Sequence, residues 1–375
     1  MKTKFSKLTI LVTFLLLGLS NCSNNEEIDG GGSNEAKSIY LKITSESPLT
    51  YGDGVPVSNA TPVVFSSGYL YFTNASGAIL AYYTLTSSDT DIDTGGTNIK
   101  LGDIQLGKTI SNLPGQVSAV HVVGNSSGLP TTGNISAVKA VALQASSQGT
   151  LSSVNLYGTN TLTLVSGNNY TCAITLKPTV ARIELTNITS SGVITGFQVD
   201  GIFIDNYYSQ ATVGGTVVVG NLVNNGSVAA TFTDNSLAYP TAAKTFLYDY
   251  YSSGLIAQTK IAKPATSGNV WGYNLFGNTA GSGSFAVPRI IIRLSNITTS
   301  DASTYTSPQF ITVKGLKSSG TSLTSLDAGK IYNIGAGALT FKESDLAPIP
   351  NVSAINVTVT VTLATWSVVA VTPEL

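Results

Sequence analysis

The sequence predicts an all-β fold, and three observations support this prediction. First, hydrophobic residues alternate with polar ones over many short runs; at 39–44, every second residue is isoleucine or leucine, which is typical of strands. Second, clusters of Gly, Asn and Ser separate the runs, as at 74–77 and 125–128, and these residues favour turns. Third, 42% of the residues are hydrophobic and only 10% are charged, so Ser, Thr, Asn and Gly must supply the polar surface.

The alternating runs divide the chain into many short predicted strands. In order, they lie at 39–44, 63–72, 78–85, 117–123, 137–145, 161–165, 170–176, 181–185, 197–204, 288–294, 310–313, 331–334 and 356–371. Short helices are expected only near 241–248 or 321–327. Many short strands with turns between them are typical of β-sandwiches.

The length of 375 residues is sufficient for two domains of ordinary size. We expect a boundary at Lys177 and Pro178, because proline cannot donate a hydrogen bond in a central strand and a new hydrophobic run begins at Val180. The predicted organisation is a leader at 1–22, a tether at 23–36, an N-terminal sandwich at 37–177 and a C-terminal sandwich at 178–375.

The first 22 residues have the pattern of a bacterial lipoprotein leader. Three lysines among the first seven residues precede an apolar run at 8–19, which is too short to span a membrane. The run ends in Leu-Ser-Asn-Cys22 and resembles a lipobox, in which the cysteine receives fatty acyl chains such as palmitate. The Gly-rich stretch at 23–36 predicts a flexible tether, and its acidic residues resemble a surface-export signal. We therefore expect an outer-membrane lipoprotein exposed at the cell surface.

The charge pattern argues against a nucleic-acid partner. The formal net charge is −1, and no cluster of Lys and Arg follows the leader, so nothing would attract a phosphate backbone. The sequence has no P-loop, and the alternating Asp89, Asp91 and Asp93 lack the distal glutamate of a calcium loop. We interpret those aspartates as part of a solvated loop and expect no metal, no cofactor and no enzymatic activity.

Three residues in predicted strands have side chains that can act in catalysis or metal binding. For each of them we favour a structural role over a catalytic one. His121 and Cys172 each lie in an alternating run, and Cys172 is the only thiol after Cys22. A single histidine and a single free cysteine cannot supply the usual ligands of a zinc site. Arg182 lies in an apolar run, and we expect it to pair with a carboxylate such as Glu184 or Asp205.

Several segments together resemble a known family. They lie at 63–79, 177–188, 197–206, 332–335, 339–341 and 357–373. In this order, and with the lipoprotein leader, they are similar to the fimbrillins of Bacteroidota type V pili, in particular to the structural subunit of short (minor) fimbriae. The resemblance covers nearly the whole chain after the leader.

This resemblance implies two transthyretin-like β-sandwich domains in tandem. It implies a structural pilus subunit that polymerises head to tail with copies of itself or with related subunits, and that gives surface adhesion. It also implies a processing protease that removes the first strand, after which the open groove receives the C-terminal strand of the next subunit.

The last hydrophobic run agrees with a donated strand. Val357, Val359, Val361 and Leu363 face one side of it, and Trp366 extends it. A strand added to a sheet gains hydrogen bonds along its length, and its alternate side chains fill pockets. The alternative is that both terminal strands are ordinary members of their own sheets.

The first hydrophobic run is the predicted displaced strand, with Ile39, Leu41 and Ile43 on its apolar face. The family's protease cuts after Arg or Lys in the following loop, but no basic residue occurs between Lys42 and Lys100. Cleavage could then occur at Lys37 or Lys42; the alternatives are that a different protease acts, that the strand is displaced intact, or that this subunit is not processed.

A surface glycan-binding lipoprotein is the alternative function. Trp271, Tyr273 and Phe276 lie within six residues of one another, and such aromatic side chains can form a platform for sugar rings. The competing interpretation is that these residues belong to the core of a strand.

Overall fold

The computed structural model describes residues 35–45, 52–54, 65–86, 98–100, 107–150, 152–223, 247–256, 260–264, 267–277, 287–350 and 368–373. Nearly all regular elements in these ranges are strands, so the all-β prediction is confirmed. The only α-helix among the described residues, α1, is Ile135–Lys139. No helix in these ranges is long and apolar enough to cross a membrane.

The described strands are short, and most have fewer than ten residues. In chain order they are β1 (Lys37–Ser45), β2 (Gly52–Gly54), β3 (Gly68–Thr73), β4 (Ile79–Thr86), β5 (Asn98–Lys100), β6 (Lys108–Leu113), β7 (Ala119–Gly124), β8 (Ala142–Gln144), β9 (Leu156–Thr161), β10 (Thr163–Ser166), β11 (Asn169–Pro178), β12 (Val180–Leu185), β13 (Ile188–Ser190), β14 (Ile194–Asp205), β15 (Tyr207–Tyr208), β16 (Gln210–Thr212), β17 (Leu222–Val223), β18 (Tyr248–Ile256), β19 (Ile261–Ala262), β20 (Val270–Phe276), β21 (Arg289–Thr299), β22 (Gln309–Val313), β23 (Leu316–Ser318), β24 (Thr321–Ser322), β25 (Ile331–Ile334), β26 (Thr340–Phe341) and β27 (Val368–Pro373). Short 3-10 turns lie at Ala145–Ser147, Val219–Asn221 and Glu343–Asp345.

The strands form three larger sheets. The first has nine strands in the order β5-β4-β3-β7-β9-β11-β1-β6, with β10 attached to β11. The second has seven strands in the order β2-β20-β12-β25-β27-β23-β24, and the third has four in the order β18-β14-β21-β22. The remaining strands form small ladders of two or three strands.

The chain passes from the first sheet to the second between β11 and β12, near the expected boundary. β11 ends at Pro178 in the first sheet and β12 begins at Val180 in the second. Two ladders nevertheless join the two parts of the chain, because β2 pairs with β20 and β8 pairs with β16. The division into two tandem domains remains a prediction.

Buried apolar side chains form one connected cluster that draws residues from both parts of the chain. The alternation seen in the sequence positions them, because every second residue of a strand faces the same side of its sheet. A smaller cluster of Phe203, Ile291 and Phe310 lies apart from it.

Two predicted elements are wrong. The strand expected at 137–145 is reduced to β8, because Asn134 caps α1: its side-chain oxygen accepts a hydrogen bond from the Ser136 amide at 2.9 Å. Asparagine at this position stabilises a helix start, which the alternation in the sequence concealed. The helix suggested at 321–327 is absent, and Thr321–Ser322 forms the short strand β24 instead.

Candidate assembly site: the first strand and its groove

β1 lies inside the first sheet rather than at its edge. It pairs in parallel with β11, from Ser38 opposite Asn169 to Ser45 opposite Leu176. On its other side it pairs antiparallel with β6, which places Ile39 opposite Ile110. We call the space between β6 and β11 the first-strand groove. Removing β1 would leave the facing edges of both neighbours without hydrogen-bond partners.

One face of β1 fills the groove and the other faces solvent. Ile39 and Leu41 are fully buried, and Ile43 is 1% exposed. Tyr40 is 46% exposed, and Lys42 is exposed as well. The predicted alternation of this run is confirmed. β1 therefore contributes three aliphatic side chains to the core and a polar stripe to the surface.

Polar contacts hold the start of β1 against the segment between β6 and β7, against β11 and against the turn that precedes β11. The Lys37 ammonium donates to the Val117 carbonyl at 2.8 Å and lies 4.6 Å from the centre of the Tyr170 ring. The Asn168 side chain donates to the Glu35 carboxylate at 2.6 Å. These groups are accessible to water, so they contribute little to stability compared with the buried aliphatic residues.

The two predicted processing positions both lie within β1. Lys37 is its first residue and Lys42 lies in its middle. A protease binds its substrate as an extended, unpaired segment, whereas β1 is paired on both sides. Cleavage at Lys42 therefore requires β1 to open first, and cleavage after Lys37 leaves the remaining residues of β1 in the groove.

The final strand, β27, is also paired within its own chain. It runs parallel to β25, with Ile331 opposite Val368, and antiparallel to β23, with Leu316 opposite Pro373. The predicted run at 356–371 thus ends in a strand of the second sheet. The five predicted donor residues, Val357, Val359, Val361, Leu363 and Trp366, and the predicted lipidation site Cys22 lie outside the described residues.

A buried ion pair lies on β12, next to the passage between the two parts of the chain. The Arg182 Nε donates to Glu184 Oε1 at 2.8 Å, and both side chains are at most 1% exposed. The expectation that Arg182 pairs with Glu184 is confirmed. The other suggested partner, Asp205, contacts Arg289 at 3.5 Å instead. Burial lowers the pKa of Arg182, and the nearby Glu184 carboxylate opposes that shift.

Amide side chains complete this buried network, and the sequence analysis missed them. Asn333 donates to the second oxygen of Glu184 at 3.2 Å. Asn274 faces the Arg182 guanidinium and donates to the Gln148 carbonyl at 2.7 Å. The sequence feature that could have predicted this contact is the position of Asn274 within β20, whose other residues are mostly apolar. Because Gln148 belongs to the first part of the chain, the network joins the two parts.

His121 and Cys172 both have structural surroundings. The His121 ring nitrogens lie 3.0 Å from the Tyr157 hydroxyl and 3.3 Å from the Thr73 hydroxyl. Burial, assisted by the charge of Lys139, lowers the pKa of His121 to about 4. Cys172 is a buried free thiol, and burial raises its pKa to about 11, which disfavours the reactive thiolate.

The suggested aromatic platform on β20 is wrong. Trp271, Tyr273 and Phe276 are 0%, 1% and 3% exposed. The Trp271 indole donates to the Tyr251 hydroxyl, and the Tyr273 hydroxyl donates to Asp249, both at 2.5 Å. Both faces of β20 are covered, so these rings cannot stack on a sugar.

The described ranges contain no group of three or more His, Cys, Asp or Glu side chains that could hold a metal ion. The predicted loop with Asp89, Asp91 and Asp93 lies outside those ranges.

Comparisons with known proteins give a fold but no sequence family. No family model matches the chain, and no curated protein matches its sequence. A candidate cell adhesion protein of Parabacteroides distasonis superposes on it with a TM-score of 0.53 at 12% identity, over 90% of this chain and 95% of that one. The chain shares that fold.

Two further solved structures match less well. A candidate cell adhesion protein of Bacteroides eggerthii has a TM-score of 0.49 at 14% identity, over 92% of this chain and 96% of that one. A fimbrilin of Porphyromonas gingivalis has a TM-score of 0.45 at 14% identity, over 80% of this chain and 91% of that one.

Proposed function

We propose that this chain is a structural subunit of a bacterial surface fimbria, and that it joins its neighbours by exchange of terminal strands. The observation that carries the proposal is the position of β1. A strand close to the start of the chain fills a groove between two other strands and buries Ile39, Leu41 and Ile43 there. The fold shared with a candidate adhesion protein supports a role at the cell surface.

The energetics of the groove favour exchange once β1 has been removed. Burying an aliphatic side chain contributes about 1.5–3 kcal/mol, so three such residues contribute roughly 4–9 kcal/mol as an upper bound. The freed edges of β6 and β11 add backbone hydrogen bonds for an incoming strand. A strand with apolar residues at every second position, such as Val357 to Leu363, would satisfy both requirements.

Donation of the last strand is complicated by β27, which is already paired within its own chain. Residues Val368–Pro373 pair with β25 and β23 of their own chain, so a donor segment that included them would first have to leave the second sheet. The backbone hydrogen bonds lost there would be regained in the next subunit. The net driving force would then come from filling the apolar first-strand groove.

The chain would reach the surface as a lipoprotein acylated at Cys22, and a processing protease would then act near β1. Because Lys37 and Lys42 are held in a paired strand, processing by a Lys-specific protease would depend on transient opening of β1. Labelled palmitate should be incorporated into the natural chain and not into a Cys22→Ser variant. The role is structural, with other subunits as partners and no catalytic step.

The test is polymerisation after controlled removal of β1. A recognition sequence for a site-specific protease is inserted between Ser45 and Gly52 in the chain that begins at Ser23. After cleavage, the proposal predicts ladders that resist SDS on unheated gels and fibres by negative-stain microscopy. The same chain without protease is the control and should remain monomeric.

Two variants identify the donated segment. Deletion of 356–375 should abolish the ladders, but it also removes β27. The second variant, Val359→Lys with Val361→Lys, leaves β27 in place and should abolish the ladders as well. A cut chain that loses β1, keeps its C-terminus and stays monomeric would contradict the proposal.

A further inference from the structure

The outer surface of the first sheet carries a depression of about 410 Å³ that crosses β1. Four neighbouring strands contribute to its lining. These contributions are Thr109 from β6, Ser38 and Tyr40 from β1, Asn169, Tyr170 and Thr171 from β11, and Val165 from β10. The volume is within the range of small-molecule sites, which is about 300–1,000 Å³.

The lining side chains are uncharged and combine an exposed ring with hydroxyl and amide groups. Tyr40 is 46% exposed. Its hydroxyl oxygen would lie only 2.0 Å from a Cβ atom added to Gly107, so a side chain at residue 107 would clash with it. Because Gly107 has no side chain, the end of the Tyr40 ring can pack against the residue that precedes β6. Val165, 65% exposed, adds an apolar wall.

The polar groups of the depression are partly used within the protein and partly available. The Ser38 hydroxyl donates to the Ser111 hydroxyl at 3.3 Å, and the Thr171 hydroxyl contacts the Tyr40 carbonyl at 3.5 Å. Both are long for hydroxyl hydrogen bonds, which have a typical length of about 2.7–2.8 Å, so a ligand hydroxyl could compete for them.

From this lining we infer that the depression binds a neutral carbohydrate, with one sugar ring against Tyr40 and its hydroxyl groups near Asn169, Ser38 and Thr109. A tyrosine offers an apolar ring face together with a polar edge, which matches the two kinds of surface of a pyranose. The side chains that line the depression are all uncharged, which favours a neutral ligand. The exposed Lys42 lies next to Tyr40 on the solvent face of β1 without lining the depression, so an anionic probe is needed as a control.

The composition of the site links it to β1. Ser38 and Tyr40 belong to β1, so the complete site exists only while β1 fills the groove. A ligand that binds only this form stabilises it by mass action. This consequence rests on the proposed function: a bound sugar would hold β1 in place and delay strand exchange.

The test is native affinity electrophoresis of the purified, uncut chain through gels that contain mannan, dextran or galactomannan, with chondroitin sulfate as the anionic counter-probe. At least one neutral polysaccharide should retard the chain, and chondroitin sulfate should not. Migration unchanged in all three neutral gels would overturn the inference, as would retardation by chondroitin sulfate alone.

Matched variants locate the site. Tyr40→Ala should weaken the apparent affinity by about tenfold, and Asn169→Ala, which leaves β1 unaltered, should weaken it too. Tyr248 has a closely similar exposure, 47%, and lies on β18 outside the depression, so Tyr248→Ala should bind like the natural chain. Loss of binding in Tyr248→Ala but not in Tyr40→Ala would place the site elsewhere and overturn the inference.

A second readout separates this inference from the proposed function. The retarding polysaccharide should slow tryptic cleavage at Lys42 in the natural chain but not in Asn169→Ala. The electrophoresis result does not depend on polymerisation. A chain that binds sugar without ever forming fibres would refute the proposed function alone, whereas fibres without sugar binding would refute this inference alone.

Discussion

β1 and β12 occupy equivalent positions in two different sheets, but different interactions hold them there. Each lies between one parallel and one antiparallel neighbour: β11 and β6 for β1, and β25 and β20 for β12. All six residues of β12 are buried, whereas Tyr40 and Lys42 of β1 are exposed.

The difference shows what decides whether a central strand can be exchanged. Loss of β12 would leave the buried Asn274 without the Arg182 guanidinium and the half-buried Asn333 without the Glu184 carboxylate, and unpaired buried polar groups are costly. Loss of β1 leaves an apolar groove and two strand edges, which another strand of the right pattern can fill. We therefore expect β12 to be a fixed strand and β1 to be a replaceable one.

The largest expected effect is on the β12 ion pair. Arg182→Met would leave the Glu184 carboxylate buried without its cation, and we expect the free energy of unfolding to fall by about 3–5 kcal/mol. Urea denaturation followed by fluorescence measures this change. The double variant Arg182→Met with Glu184→Leu should recover part of the loss. A single variant as stable as the natural chain would remove the basis for calling β12 fixed.

The next largest effect is on the apolar face of β1. Leu41→Ala should lower the free energy of unfolding by about 2–5 kcal/mol, and it should also accelerate release of β1 from a chain cut between Ser45 and Gly52. Ile183→Ala on β12 is the matched control, with a similar loss of stability. If both variants release β1 equally fast, the distinction between the two strands fails.

An intermediate effect is expected on stability at low pH. It tests whether the polar contacts of His121 in the first sheet are independent of β1. His121 binds a proton near its usual pKa of 6.5 in the unfolded chain but only near about 4 in the folded protein. Between these values the unfolded state takes up more protons, so stability should fall as the pH falls through this window.

The variant His121→Gln should lose that part of the pH dependence. Urea midpoints measured across the window give the comparison with the natural chain. Because the contacts of His121 join β7 to β9 and β3, release of β1 from a cut chain should keep the same rate in both proteins. A slope unchanged by the substitution would show that His121 titrates normally in the fold.

The smallest effect is expected on the solvent face of β1. Lys42→Ala removes an exposed side chain and should change the free energy of unfolding by no more than about 0.5 kcal/mol. The same variant should no longer be cut by trypsin at position 42, whereas Lys37 at the start of β1 remains a possible cleavage site. A large loss of stability would mean that the exposed face contributes to holding β1.

The sequence was sufficient where one face of a strand decides its environment. The alternation of Ile39, Leu41 and Ile43 predicted their burial, and the charge of Arg182 within an apolar run predicted a buried partner. A period-two pattern shows which side of a strand is apolar, and a charged residue within an apolar run requires a partner because an unpaired buried charge is costly.

The sequence was insufficient where a second layer covers a strand or where distant segments meet. Trp271 was assigned to a surface platform as an alternative because its own strand does not reveal what lies above it. The ladder between β2 and β20 joins Gly52 to Gly272, and no local pattern predicts such a pairing. At Asn134, the capping side chain outweighed the strand-like alternation that follows.

The most direct test of the central claim is replacement of β1 by a peptide. The chain cut between Ser45 and Gly52 is mixed with a fluorescent peptide of residues 355–367, and the products are separated by size and identified by mass. The account predicts that one peptide enters each folded chain and that the fragment containing β1 is released. A chain that keeps the β1 fragment and excludes the peptide, or that unfolds when β1 leaves, would contradict it.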